Sequence, residues 1–571
     1  MGSYTIMNDR NKQWQKTAYS YDLEGNPNTP GKPNLSKNLY YYRNFTTQFF
    51  ADYNQTFKAL HTIGATFGIE ASGSDSDVSS LSRQEYLLDV DQIGAGPVST
   101  AKNGSSEAVR YRRAALIGRI KYDYAAKYIV EASMRYDGSD YFPKGSRWGT
   151  FYSGSLGWVV SEETFWKSLK DKHIFDQFKI RGSYGEIGLD GSEGRLGRYE
   201  YLPSYSLSER GGYIGQAFVP GFSEGGLVST DISWYTSKNM NIGFDFASLN
   251  SRLSGSVDYF RMTTTGYLAS PSNVGYTDPL GKSLPKVLSN GESIRQGFEF
   301  VLQWKDNIGA LKYDVSANFT YYDSRWNINP DEAETSLKNP YKRNTQVGSY
   351  WGVGLTSDGF YRDLNDVINS PKRPGSTNLV AGDLKYQDFN GDGIIDGNDQ
   401  TRIGTAGSPR GNYGVNINLD YKGWFMSMLW QGATSYDIEM GQILRGGNSQ
   451  YLPIIYDFQT DYWKPSNTDA RYPRLHSSAG INGSNNYQTS DFWLVNAAYL
   501  RLKTLSIGYD FKHKLLKNVS WLSKCSLSLA GYNLLTFSPA KKYGMDPEIG
   551  DGSLYTYPIS RVYSISLNLG F

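Results

Sequence analysis

This sequence predicts an all-β fold, a transmembrane antiparallel β-barrel, on three observations. Apolar and polar residues alternate strictly over stretches of about ten residues, the length a tilted strand needs to cross hydrocarbon, with Tyr or Phe at the ends of the apolar face. The connections between these stretches alternate short and long. No apolar run approaches the length of a membrane-spanning helix, so any crossing is made by strands.

The strands follow in chain order. "RNFTTQFFADY" is the earliest clear one. In "YIVEASMRYDG", Tyr128, Val130, Ala132, Met134 and Tyr136 oppose Glu131, Ser133, Arg135 and Asp137. "YDVSANFTYY" sets Tyr313, Val315, Ala317, Phe319 and Tyr321 against Asp314, Ser316, Asn318 and Thr320. "YGVNINLDY" repeats the pattern with Tyr413, Val415, Ile417, Leu419 and Tyr421. The final "YSISLNLGF" places Tyr563, Ile565, Leu567, Leu569 and Phe571 on one face. A soluble sheet with one wet face would alternate too, but it has no reason to repeat aromatic ends at membrane-interface spacing.

The count comes to about fifteen strands. Short links such as "AAK" after Tyr124 and "KG" after Tyr421 alternate with the long segments 72–108, 188–235, 268–293, 325–411 and 436–497. The one substantial link on the short side, "SEETFWKSLKDKHIFDQ", opens on Ser161 with two acids following, which predicts a short helix. An odd count places the first strand's start outside the cell. Residues 1–38 are then expected to be an extracellular-loop remnant, 39–571 a partial barrel, and the N-terminal part of the protein to be missing.

Composition excludes several function classes. With 58 basic and 56 acidic residues there is no electrostatic nucleic-acid surface. One cysteine, Cys525, gives neither a disulfide framework nor a thiolate metal site, and four scattered histidines give no triad. No catalytic constellation emerges, so an enzyme is not expected. The start "MGSYTIMNDRNKQWQK" lacks the apolar core of a signal peptide.

The segment "DFNGDGIIDGND", 388–399, has the spacing of an EF-hand calcium loop. Asp388, Asn390 and Asp392 take positions one, three and five, and Gly393 the sharp turn. Ile394 offers a carbonyl, Asp396 acts through water, and Asp399 replaces the usual terminal Glu. The flanks "AGDLKYQ" and "QTRIGTAGSP" are not helices. A structural Ca2+ that stiffens a loop is the expectation, with an ion-free Asp/Asn/Gly turn as the alternative.

With the strands placed, several segments resemble the SusC/RagA-type TonB-linked outer-membrane transporters. "YIVEASMRYDGSDYFPKGSRWGTFYSGSLGWVVSEETFW" is similar to the family's "R-x-D-G-S-S-x-F … R-W-G-x-F-P-S-x-S-x-G-W … E-x-F" hairpin, with Tyr152 where the family has Pro. "FKIRGSYGEIG", "NIGFDFASLNSRLSGSVDYF", "YQDFNGDGIIDGNDQTRIG", "AAYLRLKTLSIGYDF" and "AGYNLLTFSPAKKYGMDPEI" resemble further family segments in the family's order. The resemblance implies a barrel of about 22 strands around a plug, of which this chain holds the C-terminal part. It also implies drive from the TonB complex through the missing N-terminal region, and a SusD-like surface lipoprotein that captures glycan or peptide ligands.

Phe571 ends an alternating strand, as does the signal by which the outer-membrane assembly machinery recognises its clients. Lumen-facing Arg119, Lys121, Glu131, Arg135 and Asp137 touch solute or, more commonly, pair across strands. Loop aromatics Tyr201, Tyr205, Tyr213 and Trp351 are candidates for stacking on sugars, with loop packing as the alternative. Import of oligosaccharides or peptides is the leading function. A secreted, calcium-stabilised carbohydrate-binding protein and a passive porin are its rivals.

Overall fold

The computed structural model describes residues 2–16, 21, 25–26, 32–88, 90–100, 102–103, 107–191, 197–215, 217–269, 287–288, 291–329, 351–441, 444–445, 456–477, 480–550, 552, 556–557 and 559–571. Sixteen long strands run through them: β1 Gly2–Gln15, β2 Asn34–Phe57, β3 His61–Gln84, β4 Glu107–Tyr124, β5 Tyr128–Ser139, β6 Trp148–Val159, β7 Gln177–Leu189, β8 Tyr235–Ser248, β9 Leu253–Thr265, β10 Glu292–Ile308, β11 Leu311–Ile328, β12 Gly411–Tyr421, β13 Trp424–Thr434, β14 Tyr499–Asp510, β15 Lys524–Phe537 and β16 Val562–Gly570. Among the described residues no helix is long and apolar enough to cross a membrane, a statement that does not touch strands.

The chain divides into two compact units. The first comprises Met1–Ser155, Gly185–Ser237 and Gly275–Ser289, and the second Leu156–Tyr184, Lys238–Val274 and Asn290–Phe571. In the first, β1 to β5 form an antiparallel meander. β2 and β3 pair over their whole length, from Asn34↔Gln84 to Phe57↔His61, and β4 then follows β3 from His61↔Tyr124. In the second, β9 to β16 form another antiparallel meander. Next-neighbour pairing throughout is what short hairpin links permit.

The short links are tight because their backbones turn left-handed. Lys58 and Ala59, Ala125 and Ala126, Leu249 and Asn250, and Lys422 with Gly423 all have positive φ. Turns of this hand match strand twist and hold hairpins in register, even where a side chain must tolerate the conformation.

Two expectations are corrected. Residues 2–15, expected as loop, form β1, paired from Gly2↔Thr47 to Gln15↔Asn34. Alternating Tyr4, Ile6 and Asn8 gave a period too weak to read beside the charged "NDRNKQ". With β1 the count is sixteen, so the parity inference about a missing part loses its premise. The helix expected from Ser161 is also shorter. Two 3₁₀ turns, Val160–Glu162 and Thr164–Trp166, precede a five-residue α1, Lys167–Asp171, and the buried Ser161 hydroxyl caps nothing.

Apolar residues are distributed inside out. On β16, Ile565 is 74% and Leu567 60% exposed, and Leu529 and Phe537 on β15 are exposed as well. The second unit's principal buried cluster lies instead in and beside the long connections, among them Leu355, Leu384, Tyr386, Tyr472 and Trp493. Strand faces that stay apolar and uncovered while the loops own the core suit strands bathed in lipid.

Candidate functional site

The long connections of the second unit hold the loop 388–399. Its flanks are short strands, not helices: Leu384–Tyr386 pairs with Ser357–Phe360, and Thr401–Ile403 with Gly352–Gly354. Within the loop, side-chain oxygens fold onto backbone amides. Asp388 accepts from Gly391 at 2.7 Å and Gly393 at 2.8 Å, Asn390 from Asp392 at 3.1 Å, and Asp392 from Ile394 at 2.8 Å. Gly391 and Gly393 sit at positive φ, which suits glycine. The Gly393 N–H, then other loop amides, hold the Asp388 carboxyl below the usual carboxylate range.

Asp399 is fully buried and braces both arms, accepting from Phe389 at 2.9 Å and Asp396 at 2.8 Å. Asp396 accepts from Asn398 at 2.6 Å. The donor set is the hard oxygen chemistry of a Ca2+ loop, and each oxygen engaged by an amide keeps a second lone pair. Among the described residues, however, no three carboxylates or histidines are placed together to hold a metal.

Around this loop lies a packed scaffold. Trp493 is 1% exposed and its indole N–H donates to Asn486 O at 2.8 Å. Asp383, fully buried, meets His476 Nε2 at 2.5 Å and accepts from Asn486 Nδ2 at 2.9 Å, joining two long connections. Asp363 caps a short helix α2, Leu364–Asn369, by accepting the Asp366 N–H, and the Asp366 side chain anchors it; the Arg362 N–H and the Lys385 ammonium bring the Asp366 carboxyl down to about 2. Burial pushes the Tyr361 hydroxyl up to about 12. These groups are fixed by packing, with no nucleophile–base pair among them.

Arg501 ties the connection after β15 to the β14–β15 pair. It is 2% exposed and donates to both Asp546 oxygens at 2.8 Å, to Glu548 Oε2 at 2.5 Å and to Thr536 Oγ1 at 2.9 Å. Lys503 and the Tyr499 hydroxyl also reach Glu548, at 2.9 and 3.0 Å. Sequence reading missed this clasp. The available signal was a charge, Arg501, in an apolar strand end and a "MDPE" run 45 residues on, which only the β14–β15 register brings together.

In the first unit, the predicted strand charges pair with one another. Arg119 grips Glu131 at 2.8 and 2.6 Å, and Arg135 reaches Asp137 at 3.0 Å and Glu70 at 3.4 Å. Lys121 lies opposite Gly64 in register. Further along, buried Asp190 accepts from Arg113, Ser139 and Tyr111. Beside them is a cavity of about 570 Å³, lined by Glu70, Arg113, Arg135, Asp137, Phe151 and Trp234 among others.

The predicted aromatics do not form one site. Tyr201 is half-buried, its hydroxyl donating to Asp140 O at 3.5 Å. Tyr205 and Tyr213 are both exposed on one strand, Tyr205–Ile214, of a separate hairpin. Trp351 is half-buried in the other unit, its N–H donating to Ile403 O. Phe571 is 82% exposed and stacks on Trp521 with centroids 5.8 Å apart.

A family model described as TonB dependent receptor-like, beta-barrel, matches residues 2–387. This chain belongs to that family. The match covers most of both the strand pattern and the long connections, so the predicted fold class, an all-β transmembrane barrel of the outer membrane, holds, and so does the resemblance to SusC/RagA-type transporters. The chain is 27% identical to TonB-dependent receptor P39 of Formosa agariphila over 91% of its own length and 51% of that protein's. It is 26% identical to TonB-dependent receptor SusC of Bacteroides thetaiotaomicron, over 81% of this chain and 44% of that one. Its fold is similar to the structure of the RagAB peptide transporter, with a TM-score of 0.76, 18% identity and coverage of 100% of this chain and 59% of that chain. The chain thus spans about half the length of the curated relatives it matches. The secreted rival, which needs its apolar strand faces packed inside, is overturned by family membership together with the exposed faces of β15 and β16.

Proposed function

We propose that this chain serves TonB-dependent import of oligosaccharides or peptides across the outer membrane, with a SusD-like surface lipoprotein as its capture partner. The observation that carries the reading is the folded core of the long connections. Leu384, Tyr386, Trp493 and their neighbours give the loop end a rigid surface of its own, which a passive pore does not need but a docking partner does. The similarity to SusC and to the RagAB peptide transporter supports the same class. Within this reading the loop 388–399 is proposed to bind Ca2+ as a structural ion, and Phe571 to serve recognition by the assembly machinery.

The test is uptake by cells expressing the full-length transporter. Labelled oligosaccharide or peptide should enter only when TonB and the proton gradient are intact. Entry that persists after the gradient is collapsed would establish the passive porin instead.

A further inference from the structure

We infer that the cavity over the polar face of β3, β4 and β5 binds an uncharged pyranose unit of the imported glycan, with the sugar ring against Trp234 and its hydroxyls on Arg135, Asp137 and Glu70. The inference rests on the import reading and selects, within it, a neutral oligosaccharide over a peptide. In that reading the polar strand faces line the barrel lumen.

The register builds the floor. Glu70, Ala115 and Asp137 lie side by side across the three strands, and Ile117 with Arg135, then Arg119 with Ser133, form the next two rungs. Cross-strand partners share a face. Ala115, set between the two carboxylates, and Ser133 and Ser153 beyond it are short, and a recess of about 570 Å³ opens over them. That volume falls within the range of about 300–1,000 Å³ usual for sites that enclose a small ligand.

One wall is aromatic and fixed. The Trp234 indole N–H donates to Arg147 O at 3.2 Å, and its ring lies 5.2 Å from Phe142 and 5.4 Å from Phe151. A Cβ at Gly188 would stand 1.9 Å from Phe151 Cζ, so glycine there is what gives this ring its place beside Trp234. With its N–H already engaged, half-buried Trp234 offers the recess carbon and π surface, which suits the C–H groups of a sugar ring.

The facing side is charged but balanced. Arg135 Nε donates to both Asp137 oxygens at 3.0 Å and Nη2 to Glu70 at 3.4 Å, while Arg119 holds Glu131 through Nε and Nη2. Among the described residues, the Nη1 group of Arg119 and of Arg135 makes no hydrogen bond, and the Glu70 and Asp137 side chains are 22% and 20% exposed. Donors and carboxylate lone pairs thus stand side by side, the pattern that neighbouring hydroxyls satisfy because each gives and takes a hydrogen bond. The lining holds three arginines against four carboxylates, so an anionic sugar finds no surplus positive charge. An extended peptide finds no strand edge either, since β3 pairs with β2 and β4, and β4 with β3 and β5.

The experiment is isothermal titration of the whole chain in detergent with cellopentaose, mannopentaose, xylopentaose, oligogalacturonate and capped tetra-alanine. Wild type should bind at least one of the three neutral sugars at a single site, oligogalacturonate less tightly, and the peptide not at all. Trp234→Ala should weaken the sugar by about tenfold. Ser153→Phe, which puts a ring into the recess from an exposed position, should abolish measurable binding. Heat-modifiable gel migration checks the fold of each variant, and should Trp234→Ala misfold, Ser153→Phe decides alone. No neutral sugar bound by wild type, binding unchanged in Ser153→Phe, or peptide bound in the sugar's place overturns the site. Uptake separates this from the import reading. Cells whose full-length transporter carries Ser153→Phe and still import the sugar at the wild-type rate refute the cavity alone, whereas wild-type cells without TonB-dependent uptake refute import itself.

Discussion

Replacing Arg501 by Met should release the connection after β15 while leaving the strands paired. The guanidinium is almost wholly buried between Asp546 and Glu548, whose side chains are 18% and 13% exposed. Removing one partner of a buried ion pair costs about 3–5 kcal/mol, because the carboxylate left behind has neither water nor a counter-charge. Glu548 keeps Lys503 and the Tyr499 hydroxyl, so most of the loss falls on Asp546, which keeps the Glu548 N–H at 3.0 Å. The lower end, about 3 kcal/mol, is therefore expected, or roughly two orders of magnitude in local opening. Hydrogen exchange of the amides of Gly544 and Ile549, bonded to Lys541 O and Asp546 O, reads this directly. Arg501→Met combined with Asp546→Leu should recover part of the loss, since the stranded charge is gone. Unchanged exchange in Arg501→Met, or a double variant as poor as the sum of the singles, would refute the clasp.

Other outcomes follow from the same geometry. Trp493→Ala should loosen the loop core by about 3–5 kcal/mol, seen as faster exchange across the long connections with strand amides unaffected. Asp366 has a lowered carboxyl, so its support of α2 is complete above about pH 4 and is lost as pH falls toward 2. Asp366→Asn should speed proteolysis near α2 at pH 7, and the difference from wild type should close under pepsin at pH near 2. Isothermal titration with Ca2+ should give heat that Asp388→Ala and Asp392→Ala abolish; no heat at millimolar ion ends the calcium proposal. Phe571→Ala should lower the heat-modifiable folded fraction recovered from the outer membrane, measured against total chain.

The strands were legible because lipid imposes one demand, an apolar face every second residue, and that demand is written locally in stretches such as "YSISLNLGF". β1 escaped because the charged run "NDRNK" breaks the alternation in mid-strand, and only its pairing with Asn34–Thr47 of β2 marks it as a strand. The turn chemistry of 388–399 was readable for the same local reason, since the Asp388, Asn390, Asp392 and Asp396 oxygens serve amides two to five residues on. Arg501 with Asp546, and Asp383 with His476, were not, because their partners meet only after distant strands are in register. The four loop aromatics could not be sorted from sequence either. Tyr and Trp serve packing and stacking with equal ease, and only placement separates half-buried Tyr201 and Trp351 from exposed Tyr205 and Tyr213.

The β2–β3 hairpin is 24 residues long on each arm, about 80 Å of strand, against a hydrocarbon layer of about 30 Å. The half of β3 away from the turn reads "SGSDSDVSSLSRQ" and is half-buried along nearly its whole length. In the proposed outer-membrane setting a macromolecule approaching the cell would meet paired strand before the bilayer, and the reach of this surface is fixed by hydrogen-bonded backbone instead of by a floppy tether.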